Sequence, residues 1–257
     1  MLTVRKPHQE GTVRLLGINF SPVNMDALLD AAMAHVRLRE AASLVFLNVD
    51  VVLKSEKDTL LREIISTAEY VLADGMPLIW ISRLFRRPLP ERICGSDFVP
   101  RLCGRAAKEG RSVFFVGGSK ESLKNACIRL RESYPVLQVD GYSPPMGFEK
   151  KPEQIEALCR IICNAAPDIL IVCLGCPKQE KFIYENRSHY GVPVSVCAGA
   201  TVDFLSGAVR RCPEWMSRSG LEWFYRFLQE PKRLFRRYFI DDVQILGLVL
   251  KYWKETS

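Results

Sequence analysis

From residue 43 to about residue 205, short apolar runs alternate with stretches whose apolar residues recur every three or four positions. Short runs bounded by turn residues are strands, and the 3.6-residue period marks helices. The pattern predicts strands at 44–48, 70–73, 113–116, 137–141, 169–174 and 194–198. It predicts helices at 58–67, 78–85, 98–109, 120–133, 152–165 and 179–189. Such alternation is the signature of a parallel sheet covered by helices. The run Asp168-Ile-Leu-Ile-Val-Cys-Leu174 is apolar on both faces, as burial between two helix layers requires. Ahead of this block, residues 13–20 predict a small strand element and 24–36 a first helix capped by Asn24. The fold class predicted is α/β: a Rossmann-like parallel sheet flanked by helices over residues 13–204, with a flexible extension at 1–12 and a basic helical appendage at 205–257.

Within the appendage the texture turns aromatic and basic. Residues 220–231 and 232–240 predict amphipathic helices broken at Pro231. Residues 205–240 hold most of the net charge of +7, because Arg210, Arg211, Arg218, Arg226, Lys232, Arg233, Arg236 and Arg237 stand there against Glu214, Glu222 and Glu230. An anionic surface is the partner that charge implies. Arginines interleaved with Trp223, Phe224, Phe227, Phe235 and Tyr238 suit a membrane interface, while a helical cap packed on the sheet accounts for the apolar faces. Nucleic acid ranks below the membrane, since the basic residues are confined to this one segment, and no nucleic-acid partner is expected.

At 257 residues and 48% hydrophobic content, the chain suffices for one sizeable core plus an appendage. No apolar run approaches the roughly 20 residues of a membrane-spanning helix, and the charged amino terminus lacks the apolar stretch of an export signal. A cytoplasmic protein at the inner membrane face is the expectation. Nine scattered cysteines, an odd number, read as reduced core residues. Cys159/Cys163 and Cys173/Cys176 have ligand-like spacing, but they lie in apolar patterns with no histidine close by, so no metal site is expected.

In an open parallel sheet, ligands bind beyond the carboxyl ends of the strands. The residues at those positions are Asn48; Asp74-Gly75-Met76-Pro77; Gly117-Gly118-Ser119; Gly175-Cys176-Pro177-Lys178-Gln179-Glu180; and Gly199-Ala200 with Asp203. The glycine pair lets backbone N–H groups approach a phosphate, or is simply a tight turn. It does not match the G-x-G-x-x-G fingerprint, so a nicotinamide-dependent oxidoreductase loses its main support. Asp74 reads either as a general base desolvated at a strand end or as a helix N-cap, and Asp97 carries the same ambiguity with more weight on capping. Lys178 or Gln179 is placed to reach a ligand while Glu180 complements the helix dipole, or the run is simply a generic helix start.

Taken in order, these junctions resemble the WecG/TagA/CpsF glycosyltransferase family from about Leu15 to about Tyr238. The resemblance is carried by Asn48, Ala73-Asp74-Gly75-Met76-Pro77, Arg87-Pro88-Leu89-Pro90-Glu91-Arg92 with Gly95-Ser96-Asp97, Gly117-Gly118, Gly141-Tyr142, 174–180, Gly199-Ala200 with Asp203 and Gly207, Arg211 and Pro213, and Gly220-Leu221-Glu222-Trp223 with Arg226, Glu230-Pro231 and Arg233. It implies transfer of N-acetylmannosamine, its uronic acid or a related hexose from UDP to an undecaprenyl-diphosphate-linked sugar. In that family such transfer builds teichoic acid linkage units, enterobacterial common antigen, capsule or exopolysaccharide. By the same resemblance Asp74 is the base of an inverting transfer, and Asn48 and Gln179 contact the sugar. Gly117, Gly118, Gly141 and Tyr142 fall at the uridine diphosphate end, and Arg92, Arg211, Arg226 and Arg233 meet phosphate charge. Asp97, Gly175, Lys178, Gly199 and Asp203 belong to the same substrate-binding set. No D-x-D motif stands at a strand end, so the expectation is no cofactor, with arginine and backbone donors instead of a metal. Phe46 replaces a small hydroxyl residue found in some members and reshapes the sugar pocket. The competing reading is a non-catalytic nucleotide-binding module docked on the membrane, and homo-oligomerisation is left open.

Overall fold

The computed structural model describes residues 11–209, 212, 216, 222–229, 231–236 and 240–256. An antiparallel hairpin of β1 (Val13–Leu15) and β2 (Ile18–Phe20) leads into α1 (Met25–Leu38). The cap foreseen at Asn24 forms, its side-chain oxygen accepting the Ala27 N–H at 2.9 Å. Six strands then build one sheet: β3 (Ala42–Leu47), β4 (Tyr70–Ala73), β5 (Ser112–Gly117), β6 (Gln138–Tyr142), β7 (Ile169–Cys173) and β8 (Val194–Cys197). Their order is β4-β3-β8-β7-β5-β6 and all pairings are parallel. The fold is the Rossmann-like α/β class. The exposed backbone of edge strand β4 is partly covered, because Ser21 N–H donates to Val71 O at 2.8 Å and Ser21 Oγ accepts the Val71 N–H.

Side-chain alternation along the strands splits the core into two layers. Leu44, Phe46, Leu72 and Phe115 pack with α1, α5 (Gly95–Lys108) and α6 (Lys120–Ser133). Val45, Leu47, Val71 and Val172 pack with α2 (Val49–Lys57), α3 (Thr59–Thr67), α4 (Met76–Leu84), α7 (Pro152–Ala165) and α8 (Lys178–Tyr190). Each fully buried side chain of this size contributes roughly 1.5–3 kcal/mol over the exposed state. That explains why the central strands carry no polar face.

The connections fix where a ligand can enter. After β3 the chain passes into α2 in the second layer, whereas after β8 it passes into α9 (Thr201–Ser206), which packs on α6 in the first. Adjacent strands that send their helices to opposite faces leave a crevice between them at their carboxyl ends. Helix α2 is absent from the sequence prediction, which leaves 49–57 unassigned, because Val49, Val51 and Val52 favour strand over helix. Asn48 ends the strand instead by capping α2, its Oδ1 accepting the Val51 N–H at 3.1 Å.

The tail holds α10 (Glu222–Gln229), α11 (Pro231–Arg236) and α12 (Ile245–Thr256). Pro231 is the first residue of α11, where its fixed φ suits a helix start and its missing N–H costs nothing. Helix α12 returns to the second layer. Ile245 is buried, Arg62 donates to Tyr252 Oη at 3.0 Å, and the Trp253 ring meets Phe85 edge-on with centroids 5.3 Å apart. Among the described residues, no helix is long and apolar enough to cross a membrane.

Candidate active site

A cavity of about 290 Å³ opens in the crevice beyond β3, β4 and β8. Its walls include Phe46, Asn48, Asp74, Gln179 and Gly199. Asp74 extends the β4 ladder by one residue, its N–H donating to Leu47 O at 2.7 Å. It does not cap α4: the N-cap there is Gly75, with no side-chain hydrogen bond. That removes the capping alternative and leaves the Asp74 carboxyl in the cavity wall. The two carboxamides are oriented by backbone donors. Val51 N–H fixes the Asn48 oxygen, and Gly199 N–H donates to Gln179 Oε1 at 2.9 Å. An amide whose oxygen is so engaged turns its NH2 group elsewhere. The Asn48 NH2 has no protein acceptor among the described residues.

Beside Asp74, Ile93 N–H donates to Ala73 O at 3.0 Å and draws the 92–97 segment across the strand end. There Arg92 donates to Asp97 Oδ2 at 3.2 Å, and the Cys94 thiol donates to the same oxygen at 2.8 Å. Burial, reinforced by the nearby Asp74 charge, pushes the Cys94 thiol well above its ordinary pKa. Burial does the same to Cys197, and to Cys176 beside Glu180. These thiols are neutral and poor nucleophiles. Glu180 is 1% exposed and does not line this cavity, and burial raises its pKa.

The other residues singled out from the sequence divide clearly. Gly141 and Tyr142 line a second groove of about 420 Å³ along α6, together with Lys120, Lys124, Arg131 and Asp140. Gly117 and Gly118 line neither space. A Cβ on Gly117 would stand 2.3 Å from Cys173 O, and one on Gly118 2.8 Å from Val202 Cγ1, so close packing of β5 against β7 and α9 demands both glycines. Gly175 takes the chain out of β7, and its carbonyl accepts the Gln179 N–H at 3.1 Å. Lys178 points to Glu149, with which it pairs at 2.5 Å. Asp203 lies in α9 and outside the cavity lining, and the Arg92–Asp97 pair flanks Gly95 and Ser96, which do line it. Arg211 lies outside the described residues, as do the side chains of Arg226 and Arg233. Sequence reasoning missed Asp50 and Lys54, an ion pair at 2.8 Å in the cavity wall. Their i,i+4 spacing behind an N-capping asparagine was the available signal. The cysteines with ligand-like spacing form no cluster: among the described residues, no three His, Cys, Asp or Glu side chains are grouped to hold a metal ion.

A carboxylate and two oriented amides thus line one cavity at the switch point of the parallel sheet of an α/β protein. The chain belongs to the glycosyl transferase WecG/TagA/CpsF family, which it matches over residues 13–257. It is 31% identical over 211 residues to the N-acetylglucosaminyldiphosphoundecaprenol N-acetyl-beta-D-mannosaminyltransferase of Bacillus subtilis (strain 168), a match spanning 82% of this chain and 80% of that protein.

Proposed function

We propose that this glycosyltransferase moves N-acetylmannosamine, its uronic acid or a related hexose from a UDP donor to a polyprenyl-diphosphate-linked sugar, with inversion at the anomeric carbon. The observation that carries the reading is Asp74, a strand-end carboxylate in the wall of a cavity also faced by Asn48 and Gln179, in a chain of this family. Asp74 takes the proton of the acceptor hydroxyl as that oxygen bonds to the anomeric carbon. The bond to UDP breaks on the opposite face, and its electron pair leaves with the diphosphate. The amides of Asn48 and Gln179 hold oxygens of the sugar, while Arg92, Arg211, Arg226 and Arg233 offset phosphate charge without a metal. The groove beside Tyr142, with its three cations, suits the nucleotide end. The acceptor class rests on the Bacillus relative, whose name specifies an undecaprenyl-diphosphate-linked sugar.

The test is a transfer assay with UDP-N-acetylmannosamine, its uronic acid, UDP-glucose and UDP-glucuronate against one detergent-solubilised polyprenyl-diphosphate sugar, with and without chelator. One donor should give an inverted, lipid-linked product at a rate the chelator leaves unchanged. UDP binding without transfer of any sugar would favour the non-catalytic module instead.

A further inference from the structure

Glu180 is the most deeply buried carboxyl at this end of the sheet, in the first turn of α8 and 1% exposed. The sequence suggests only a dipole-complementing carboxylate at a helix start, a role that solvent exposure would serve as well. The structure places it behind the cavity wall, with the Cys176 thiol beside it. Its Oε1 accepts a hydrogen bond from Gln179 Nε2 at 2.8 Å, and its Oε2 has no hydrogen-bond partner. A buried carboxyl with an unsatisfied oxygen costs stability and improves no packing, so its bond to Gln179 needs a reason.

Gln179 supplies that reason. Its oxygen accepts the Gly199 N–H at 2.9 Å, and one hydrogen of its NH2 group goes to Glu180. With one contact an amide plane still rotates; with two, at opposite ends, it is fixed. The second Nε2 hydrogen has no acceptor among the described protein groups, and Gln179 lines the cavity. We infer that Glu180 is a positioning residue: its buried carboxyl locks the Gln179 amide so that the second Nε2 hydrogen is kept for an oxygen of the transferred sugar. This rests on the reading of the cavity as the donor-sugar site. Glu180 touches no substrate and moves no proton; it acts through Gln179, whose oxygen ties α8 to the loop after β8.

The experiment is a double-mutant cycle on the full chain, with steady-state kinetics for the sugar nucleotide and the lipid acceptor measured separately. Glu180→Met removes the acceptor at similar volume and should raise the donor KM by about 10-fold or more, leaving the acceptor KM and the melting temperature near parent values. Glu180→Gln keeps an oxygen for Gln179 and should bring the donor KM back to within about threefold of the parent. In a Gln179→Met background, Glu180→Met should add less than about twofold, because the residue through which it acts is gone. Equal losses in both backgrounds overturn the inference. So does a Glu180→Gln variant as impaired as Glu180→Met, or a rise in both KM values with a fall in melting temperature. If Glu180→Met does not fold, Glu180→Asp, which withdraws the carboxyl by one methylene, must also raise the donor KM, and an unchanged value is equally fatal. Should Gln179→Met leave the donor KM untouched, the cavity is not the sugar site and the inference falls with that reading. A sensitive Gln179 beside an insensitive Glu180 refutes the inference alone.

Discussion

Asp74 occupies a position where backbone geometry, more than local sequence, decides what a carboxylate does. Had its side chain closed onto the first turn of α4, it would be a cap; Gly75 takes the N-cap position instead, and Asp74 is left in the cavity wall. Asp74→Asn changes neither shape nor the Asp74 N–H bond to Leu47 O, so fold and UDP affinity should persist while turnover falls by about 10²-fold or more. Single-turnover transfer together with UDP titration separates the two effects. Near-parent turnover would remove Asp74 from the chemistry. The thiols nearby are no substitute, since burial keeps Cys94 and Cys197 protonated through neutral pH.

At the scale of elements, the turn between β5 and α6 has a packing reason for its glycines. Gly118 has φ +74°, and a side chain there would press into Val202 of α9. Gly118→Val should therefore destabilise the fold by roughly 1–3 kcal/mol through overpacking, with backbone strain in addition. Thermal unfolding measures this, and calorimetric titration with UDP shows whether affinity falls in its own right. A stable variant with weakened UDP binding would restore the glycine pair to the nucleotide site. The same scale shows why α2 was illegible from sequence. Its valines have high strand preference, and only the Asn48 cap and the packing of Val51 and Val52 into the second layer overrule it.

For the molecule as a whole, the tail is joined to the domain at both ends. It leaves from α9 and returns through α12, whose Tyr252 and Trp253 contact Arg62 and Phe85. Between these anchors lie α10 and α11, with Phe224, Leu228 and Phe235 exposed among the arginines. We propose that residues 205–240 dock the enzyme on anionic membrane, each basic residue contributing on the order of 1 kcal/mol. Neutralising Arg226, Arg233, Arg236 and Arg237 together should abolish co-sedimentation with anionic liposomes and slow transfer to a long-chain lipid acceptor. If that variant sediments normally and loses activity equally on a soluble short-chain acceptor, the arginines contact phosphate in the site instead.

The sequence by itself determined the α/β class, the six sheet strands, most of the helices and the strand ends at which Asn48, Asp74, Gln179 and Gly199 meet. All of these follow from local periodicity and from residues whose position along one strand already places them at its carboxyl end. Tertiary structure alone decided the rest. Parallel strand order depends on crossovers that pair β3 with β8 across about 150 residues of chain, and no local pattern encodes that neighbour. Because β8 lies there, the loop carrying Gly199 reaches Gln179, Glu180 is enclosed, and Asp50 and Lys54 turn into the cavity wall. Burial and hydrogen-bond partners are properties of distant segments brought together. The glycine pair that the sequence leaves open between a phosphate cradle and a tight turn lies, in space, too close to Cys173 and Val202 to admit a Cβ.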